Sequence, residues 1–198
     1  MGRTRQQVGD TDTAVTRSRD FSHRGVSRET VRRLAERGVL ERAARGVYLA
    51  PAASRSSHRD LLVVATRVPN GVICLLSALA FHGLTSEMPH EVWLAVGLKA
   101  RTPAADAPPI RLVRLSEVPL KAGVEIHVKH GVALHVFSAA KTIADCFKFR
   151  SKVGLDLAVA ALREGWAQKR FTMDEVWHFA RVCRVTAVMR PYLELLVG

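Results

Sequence analysis

The first clear pattern of apolar and polar positions predicts a short helix directly after Ser27. Val31, Leu34 and Ala35 stand at i, i+3 and i+4, which places them on one side of a helix. The charged residues between them point away from that side. Ser27 can cap the helix, because its hydroxyl accepts a hydrogen bond from a free N–H of the first turn. We therefore predict a capped amphipathic helix with Leu34 in the core.

A β-hairpin is predicted to follow this helix at once. Gly38 comes after the last turn, where a left-handed residue commonly ends a helix. Two short β-type runs at 39–42 and 47–50 are joined by residues 43–46. Gly46 can take the positive φ that a tight hairpin needs. Helix followed by hairpin is the order of the recognition helix and wing of a winged helix-turn-helix, which we place at residues 15–52.

The segment before the recognition helix is less clearly patterned. Residues 15–23 can form a short helix, and residues 24–26 are a plausible turn into the next one. Residues 1–14 are polar and turn-rich, so they offer almost no apolar side chains for a further helix. We expect a polar N-terminal arm there.

Charge adds a partner to this picture. The formal net charge is +12, and residues 1–60 carry 13 Arg, no Lys and 7 acidic residues. A strongly basic protein favours an anionic partner such as double-stranded DNA. For a single helix, a solvated basic face would be the simpler interpretation, but the order of helix, glycine and basic hairpin favours DNA binding. The predicted DNA-binding residues are Ser27, Arg28, Thr30, Arg32, Arg33, Arg37, Arg42 and Arg45.

The chain beyond residue 56 predicts an α+β fold, a mixed sheet covered by helices. Residues 51–57 are small and polar and are interpreted as a linker, so a fragment of residues 56–198 is expected to fold unaided. Strands are expected at 91–97, 110–115, 124–128 and 132–137. Helices are expected at 61–68, 72–84, 138–150, 155–167, 172–183 and 186–197.

No pattern indicates an enzyme, a cofactor or a metal site. Cys74, Cys146 and Cys183 are far apart and lie in apolar runs, so small buried residues are the simplest interpretation. His127 and His135 lie in the predicted hairpin without acidic or cysteine ligands at metal spacing. No apolar run reaches about 18 residues, and the N-terminus lacks the apolar core of a signal peptide. We therefore expect a cytoplasmic protein with no membrane partner.

Several segments resemble the AbiEi family of antitoxins from type IV toxin–antitoxin systems. They are 25–34, 45–48, 74–84, 141–146 and 190–193, in this order along residues 15–198. The resemblance implies a winged helix-turn-helix followed by a C-terminal antitoxin domain, residues 56–198 here. It also implies an autorepressor that binds inverted repeats at its own promoter. A nucleotidyltransferase-like toxin encoded nearby would be neutralised.

A basic face of the C-terminal domain is the candidate surface for such a toxin. Asp145 lies between Lys141 and Lys148 at i−4 and i+3 and is expected to form a surface ion pair. The candidate contacts are Lys141, Asp145, Lys148, Arg150 and Lys152. Two other functions stay open at this point. One is a stand-alone transcription factor whose C-terminal domain dimerises or senses a ligand, and the other is a nucleic-acid-processing enzyme.

Overall fold

The computed structural model describes residues 14–197 and has the predicted α+β architecture. Its strands are β1 (Val15–Arg17), β2 (Glu41–Ala44), β3 (Val47–Leu49), β4 (Val72–Ile73), β5 (Val92–Gly97), β6 (Ile110–Leu115), β7 (Val124–Lys129) and β8 (Val132–Phe137). Its helices are α1 (Ser18–His23), α2 (Arg28–Glu36), α3 (Pro51–Ser54), α4 (Arg59–Arg67), α5 (Leu75–His82), α6 (Glu117–Lys121), α7 (Ala139–Lys148), α8 (Arg150–Val153), α9 (Leu155–Ala167), α10 (Met173–Val182) and α11 (Thr186–Val197).

Two compact units divide these elements. The N-terminal unit comprises the chain up to Pro69 together with the segments 103–109 and 127–134. The C-terminal unit holds the remaining residues. The predicted arm at 1–14 lies, except for Ala14, outside the described residues. The assignment of a DNA-binding and an antitoxin domain to parts of the chain stays a prediction.

A three-stranded antiparallel sheet of order β1-β3-β2 carries the N-terminal unit. Val15 pairs with Leu49, so the chain begins this unit as a strand. The prediction of helix from residue 15 is therefore wrong for the first three positions, and α1 begins at Ser18. β2 and β3 form the predicted hairpin, with Arg45 and Gly46 as its turn. Gly46 has the expected positive φ, +74°.

α1 and α2 pack together around a small apolar cluster. Phe21, Val31 and Leu40 are its buried members. Ser27 Oγ accepts from the Thr30 N–H at 3.1 Å, which confirms the predicted cap. Leu34 lies at the edge of the cluster and is only partly buried, so its predicted place in the core is wrong. The centre of the apolar stripe is Val31, one turn closer to the cap.

The segment predicted as a linker is a helix instead. Pro51 opens α3, where its fixed φ suits the first turn, and Ala53 in that helix is fully buried. α4 follows and lies against β1 and β3. Leu62 and Val63 of α4 are fully buried. A fragment starting at residue 56 would lose the contacts of α4 with β1 and β3, and its unaided folding stays a prediction.

The second sheet is mixed and has five strands in the order β6-β5-β4-β8-β7. β5 pairs parallel with β6 and antiparallel with β4, and β4 pairs parallel with β8. The turn His130-Gly131, with positive φ at both residues, joins β7 to β8. The core of the C-terminal unit comes from β4, β5, β6, α5, α7, α9, α10 and α11. No helix among the described residues combines the length and apolarity needed to cross a membrane.

α7 is buried on all sides, which corrects one sequence interpretation. It packs against α5, α9, α10 and α11. Ile143 and Phe147 are buried, but Lys141 and Asp145 on the opposite side are buried too, at 0% and 1% exposure. Their expected surface ion pair is an interior ion pair. The sequence period identified one apolar side of the helix, whereas four neighbouring helices cover all of it.

Candidate nucleic-acid interface

α2 presents an exposed basic surface outside its buried stripe. Arg28, Arg32, Arg33 and Arg37 are all exposed, whereas Val31 between them is 3% exposed. At 100° per residue, Arg33 and Arg37 lie opposite the apolar stripe, and Arg28 and Arg32 lie on its flank. These four side chains are therefore accessible to a polyanion.

Three of the predicted contact residues also have local partners. Arg32 Nε lies 2.8 Å from Glu36 Oε1 one turn later, which raises the pKa of Arg32. The hydroxyls of Ser27 and Thr30 lie 2.9 Å apart at the start of the helix. Ser27 thus fixes the N-terminus of α2 in addition to lying exposed beside it.

The wing supplies the second basic element. Arg42 on β2 and Arg45 in the turn are both exposed. A hollow between α2 and the wing joins the two elements. Its lining consists of Ser18, Arg28, Val31, Arg42, Arg45, Gly46 and Tyr48. Three arginines from two elements therefore surround one concave surface, an arrangement suited to phosphate groups.

A partly buried set of hydrogen bonds joins β2 to α3 and α4, the helices that follow the wing. Glu41 accepts hydrogen bonds from the Arg59 guanidinium and the Ser54 hydroxyl. These two bonds, that of Arg59 first, lower the pKa of Glu41. Sequence reasoning missed this contact, because the three residues are 13 and 18 positions apart and belong to separate elements. It fixes the base of the wing.

A loop from far along the chain also reaches the wing. The Arg45 N–H donates to Asp106 Oδ2 at 2.6 Å. Asp106 lies in the segment 103–109, which belongs to the same compact unit as the wing. No local pattern around Asp106 pointed to this contact, since it joins residues 61 positions apart.

Comparison with known proteins addresses this same region. Residues 17–51 match the model of the AbiEi antitoxin family of transcriptional regulators. This segment carries the AbiEi pattern. The match spans α1, α2, β2 and β3, and so confirms the resemblance stated from the sequence over the helix-turn-helix and its wing. The resembling segments after residue 51 lie beyond the match.

Beyond that AbiEi match, the chain is similar in fold to solved structures. One of them is the crystal structure of the RV2827C protein from Mycobacterium tuberculosis. The similarity covers 92% of this chain and 78% of that one, with 14% sequence identity and a TM-score of 0.48. A search of the curated proteins finds no match.

The residues predicted to contact an AbiEi-type toxin are not all accessible. Arg150 and Lys152 are exposed and Lys148 is half-buried. Lys148 Nζ and Lys152 Nζ lie 6.0 and 5.7 Å from the centre of the Phe149 ring. Lys141 and Asp145 are buried in the core, so their proposed contact with a partner is wrong.

The remaining candidates for chemistry are buried side chains. All three cysteines are buried, as predicted. Burial raises the pKa of the Cys146 thiol well above its ordinary value. His82 is also buried, with Nε2 2.7 Å from the Phe137 carbonyl oxygen. Within residues 14–197, no three His, Cys, Asp or Glu side chains are grouped to hold a metal.

Proposed function

We propose that this protein is a transcriptional regulator that binds double-stranded DNA through α2 and the β2–β3 wing. The observation that carries the proposal is the hollow between these elements, which is bordered by Arg28, Arg42 and Arg45. In a helix-turn-helix the second helix enters the major groove. The wing would then lie on the phosphate backbone. The AbiEi match over the same residues supports this assignment.

The exposed arginines divide into two roles under this proposal. Arg33 and Arg37, on the exposed side of α2, would face base edges, where arginine can bind guanine through two parallel hydrogen bonds. Arg45, in the wing turn, would neutralise a phosphate and so contribute to binding of every sequence alike. Ser27 and Thr30, at the start of α2, would contact the phosphate backbone of the DNA.

The test is DNA binding measured by fluorescence anisotropy on the protein's own upstream region and on an unrelated duplex of equal length. Arg33→Ala should cost about 1–3 kcal/mol on the upstream region and reduce its preference over the unrelated duplex. Arg45→Ala should weaken both duplexes alike and lower the salt dependence by about one phosphate contact. Arg163→Ala on the exposed side of α9 is the matched control, since it removes the same charge. Unchanged affinity in the double variant Arg33→Ala, Arg37→Ala would overturn the proposal.

We further propose that the protein represses its own promoter and acts as the antitoxin of a type IV system in the cytoplasm. The AbiEi description of the matching family supports this function. A nucleotidyltransferase-like toxin encoded nearby would be its partner, with the exposed Arg150 and Lys152 and the half-buried Lys148 as contacts. The alternative is a stand-alone transcription factor with no toxin, whose C-terminal domain would dimerise or sense a ligand.

Co-expression with the neighbouring gene product, from an unrelated promoter, tests the antitoxin role. The full-length Arg33→Ala, Arg37→Ala variant lacks DNA binding under the proposal but keeps the C-terminal unit intact. It should rescue growth as well as the wild type if neutralisation is direct. Rescue by the wild type alone, at equal protein level, would mean that neutralisation acts through DNA. The triple substitution of Lys148, Arg150 and Lys152 by Ala should abolish rescue if that surface binds the toxin.

A further inference from the structure

The turn of the wing already holds an anion, and the anion belongs to the chain itself. The Arg45 N–H donates to Asp106 Oδ2 at 2.6 Å, and the Ala107 N–H donates to Asp106 Oδ1 at 2.9 Å. The hydrogen bond from Arg45, with that from Ala107 and the charges of Arg67 and Arg42, lowers the pKa of Asp106. Asp106 is therefore a carboxylate at neutral pH.

Hydrogen bonds from Arg67 fix the position of the loop that carries this carboxylate. Arg67, the last residue of α4, donates from its guanidinium to carbonyl oxygens along the loop. The distances are 2.7 Å to Ala104 and 3.3 Å to each of Asp106 and Ala107. α4 itself lies against β1 and against β3, which is a strand of the wing. The same sheet thus positions both the turn and the loop that covers it.

The contacts of Asp106 are those that a DNA phosphate would make. Backbone N–H groups and arginines are common partners of phosphate oxygens in protein–DNA complexes. A carboxylate offers the same negative charge and the same acceptor atoms. Beside Asp106 the surface forms a hollow bordered by Arg17, Arg45 and Arg67. One anion site is thus surrounded by more positive charge than a single carboxylate neutralises.

We propose that the wing turn is a phosphate-binding site of the DNA interface, and that Asp106 occupies it in the DNA-free protein. This inference rests on the proposed DNA-binding function. DNA must displace Asp106 before a phosphate reaches the Arg45 N–H. The internal carboxylate therefore lowers the apparent affinity for DNA. The apparent association constant equals the intrinsic constant multiplied by the fraction of time for which the site is free. The effect is equal for all sequences, because phosphate contacts carry no sequence information.

Asp106→Asn tests the competition, since it keeps the shape of the side chain and removes its charge. If Asp106 fills the site about nine-tenths of the time, the variant should bind the upstream and the unrelated duplex about tenfold more tightly. Asp60→Asn is the matched control. Asp60 is exposed in the same unit, where it pairs with Arg59 at 2.7 Å, and its substitution changes the net charge equally. The gain in Asp106→Asn should exceed that in Asp60→Asn.

Weaker binding by Asp106→Asn would overturn the inference and make Asp106 a support of the wing. A gain equal to that of Asp60→Asn would overturn it as well, as an effect of net charge alone. If wild type and variants bind neither duplex, the proposed function itself fails.

Hydrogen exchange on the unsubstituted protein gives an independent measurement. Added DNA should increase exchange in residues 103–109, because this loop loses its hydrogen bond to the Arg45 N–H when Asp106 leaves the turn. Unchanged or slower exchange in that loop would contradict displacement.

Discussion

Asp145→Asn should destabilise the C-terminal unit far more than a typical loss of an ion pair. Asp145 forms a buried ion pair with Lys141 one turn earlier on α7. Lys141 Nζ also lies 4.1 Å from the centre of the Phe137 ring, and Cys183 Sγ donates to Asp145 Oδ1 at 3.2 Å. Both charged side chains are almost completely inaccessible to water. Asparagine has nearly the same shape, so the substitution removes the charge and leaves the packing.

The expected cost follows from the charge left behind. Removing one partner of a buried pair costs about 3–5 kcal/mol, because the other charge stays buried without compensation. About 4 kcal/mol is therefore the expected loss in the free energy of unfolding at pH 7.

Urea denaturation at pH 7 measures this loss. The double variant Lys141→Met, Asp145→Asn removes both charges and should recover much of the loss. Glu117→Gln is the control, since Glu117 lies 2.6 Å from Lys121 at the same spacing on an exposed helix.

Two results would refute the reasoning. The first is a cost of Asp145→Asn no larger than that of Glu117→Gln, since that would mean that water reaches the pair. The second is a loss in the double variant Lys141→Met, Asp145→Asn as large as that in Asp145→Asn. In that case an unpaired lysine is not the cause, and altered packing around α7 would be.

Three further predictions concern stability and reactivity. Leu49→Ala should lower the free energy of unfolding by about 2–5 kcal/mol, because Leu49 is fully buried. Leu34→Ala should lower it by no more than about half of that, and equal losses in thermal melts would contradict the edge position of Leu34. Bonding to Arg59 lowers the pKa of Glu41, so the stabilisation by the Glu41 carboxylate is present above the ordinary glutamate value of 4.5 and is lost as the pH falls below it. Acidification should therefore lower the melting temperature of the wild type more than that of Glu41→Gln. An equal decrease in both proteins would refute this. Burial raises the pKa of the Cys183 thiol to about 12, so a thiol reagent at pH 8 should modify it only in denaturant, and rapid labelling of the native protein would contradict its placement.

Local chemistry made much of this fold predictable from the sequence. Ser27 caps α2, Gly46 takes a positive φ in the wing turn, and Thr172 and Glu175 form the predicted capping box of α10. Each of these features depends on residues within one turn of each other along the chain. The basic side of α2 was predictable for the same reason, because helical period places Arg33 and Arg37 opposite the apolar stripe.

Contacts between distant parts of the chain were decided by the tertiary structure. A lysine and an aspartate at i, i+4 give the same pattern on an exposed helix and on α7, and only the four surrounding helices bury Lys141 with Asp145. Asp106 has no local signal of its contact, since the sheet and α4 bring it to Arg45 across 61 positions. The sequence by itself thus determined the basic helix and its wing. The packing of segments remote in the chain decided which charges are buried and which anion lies against the wing.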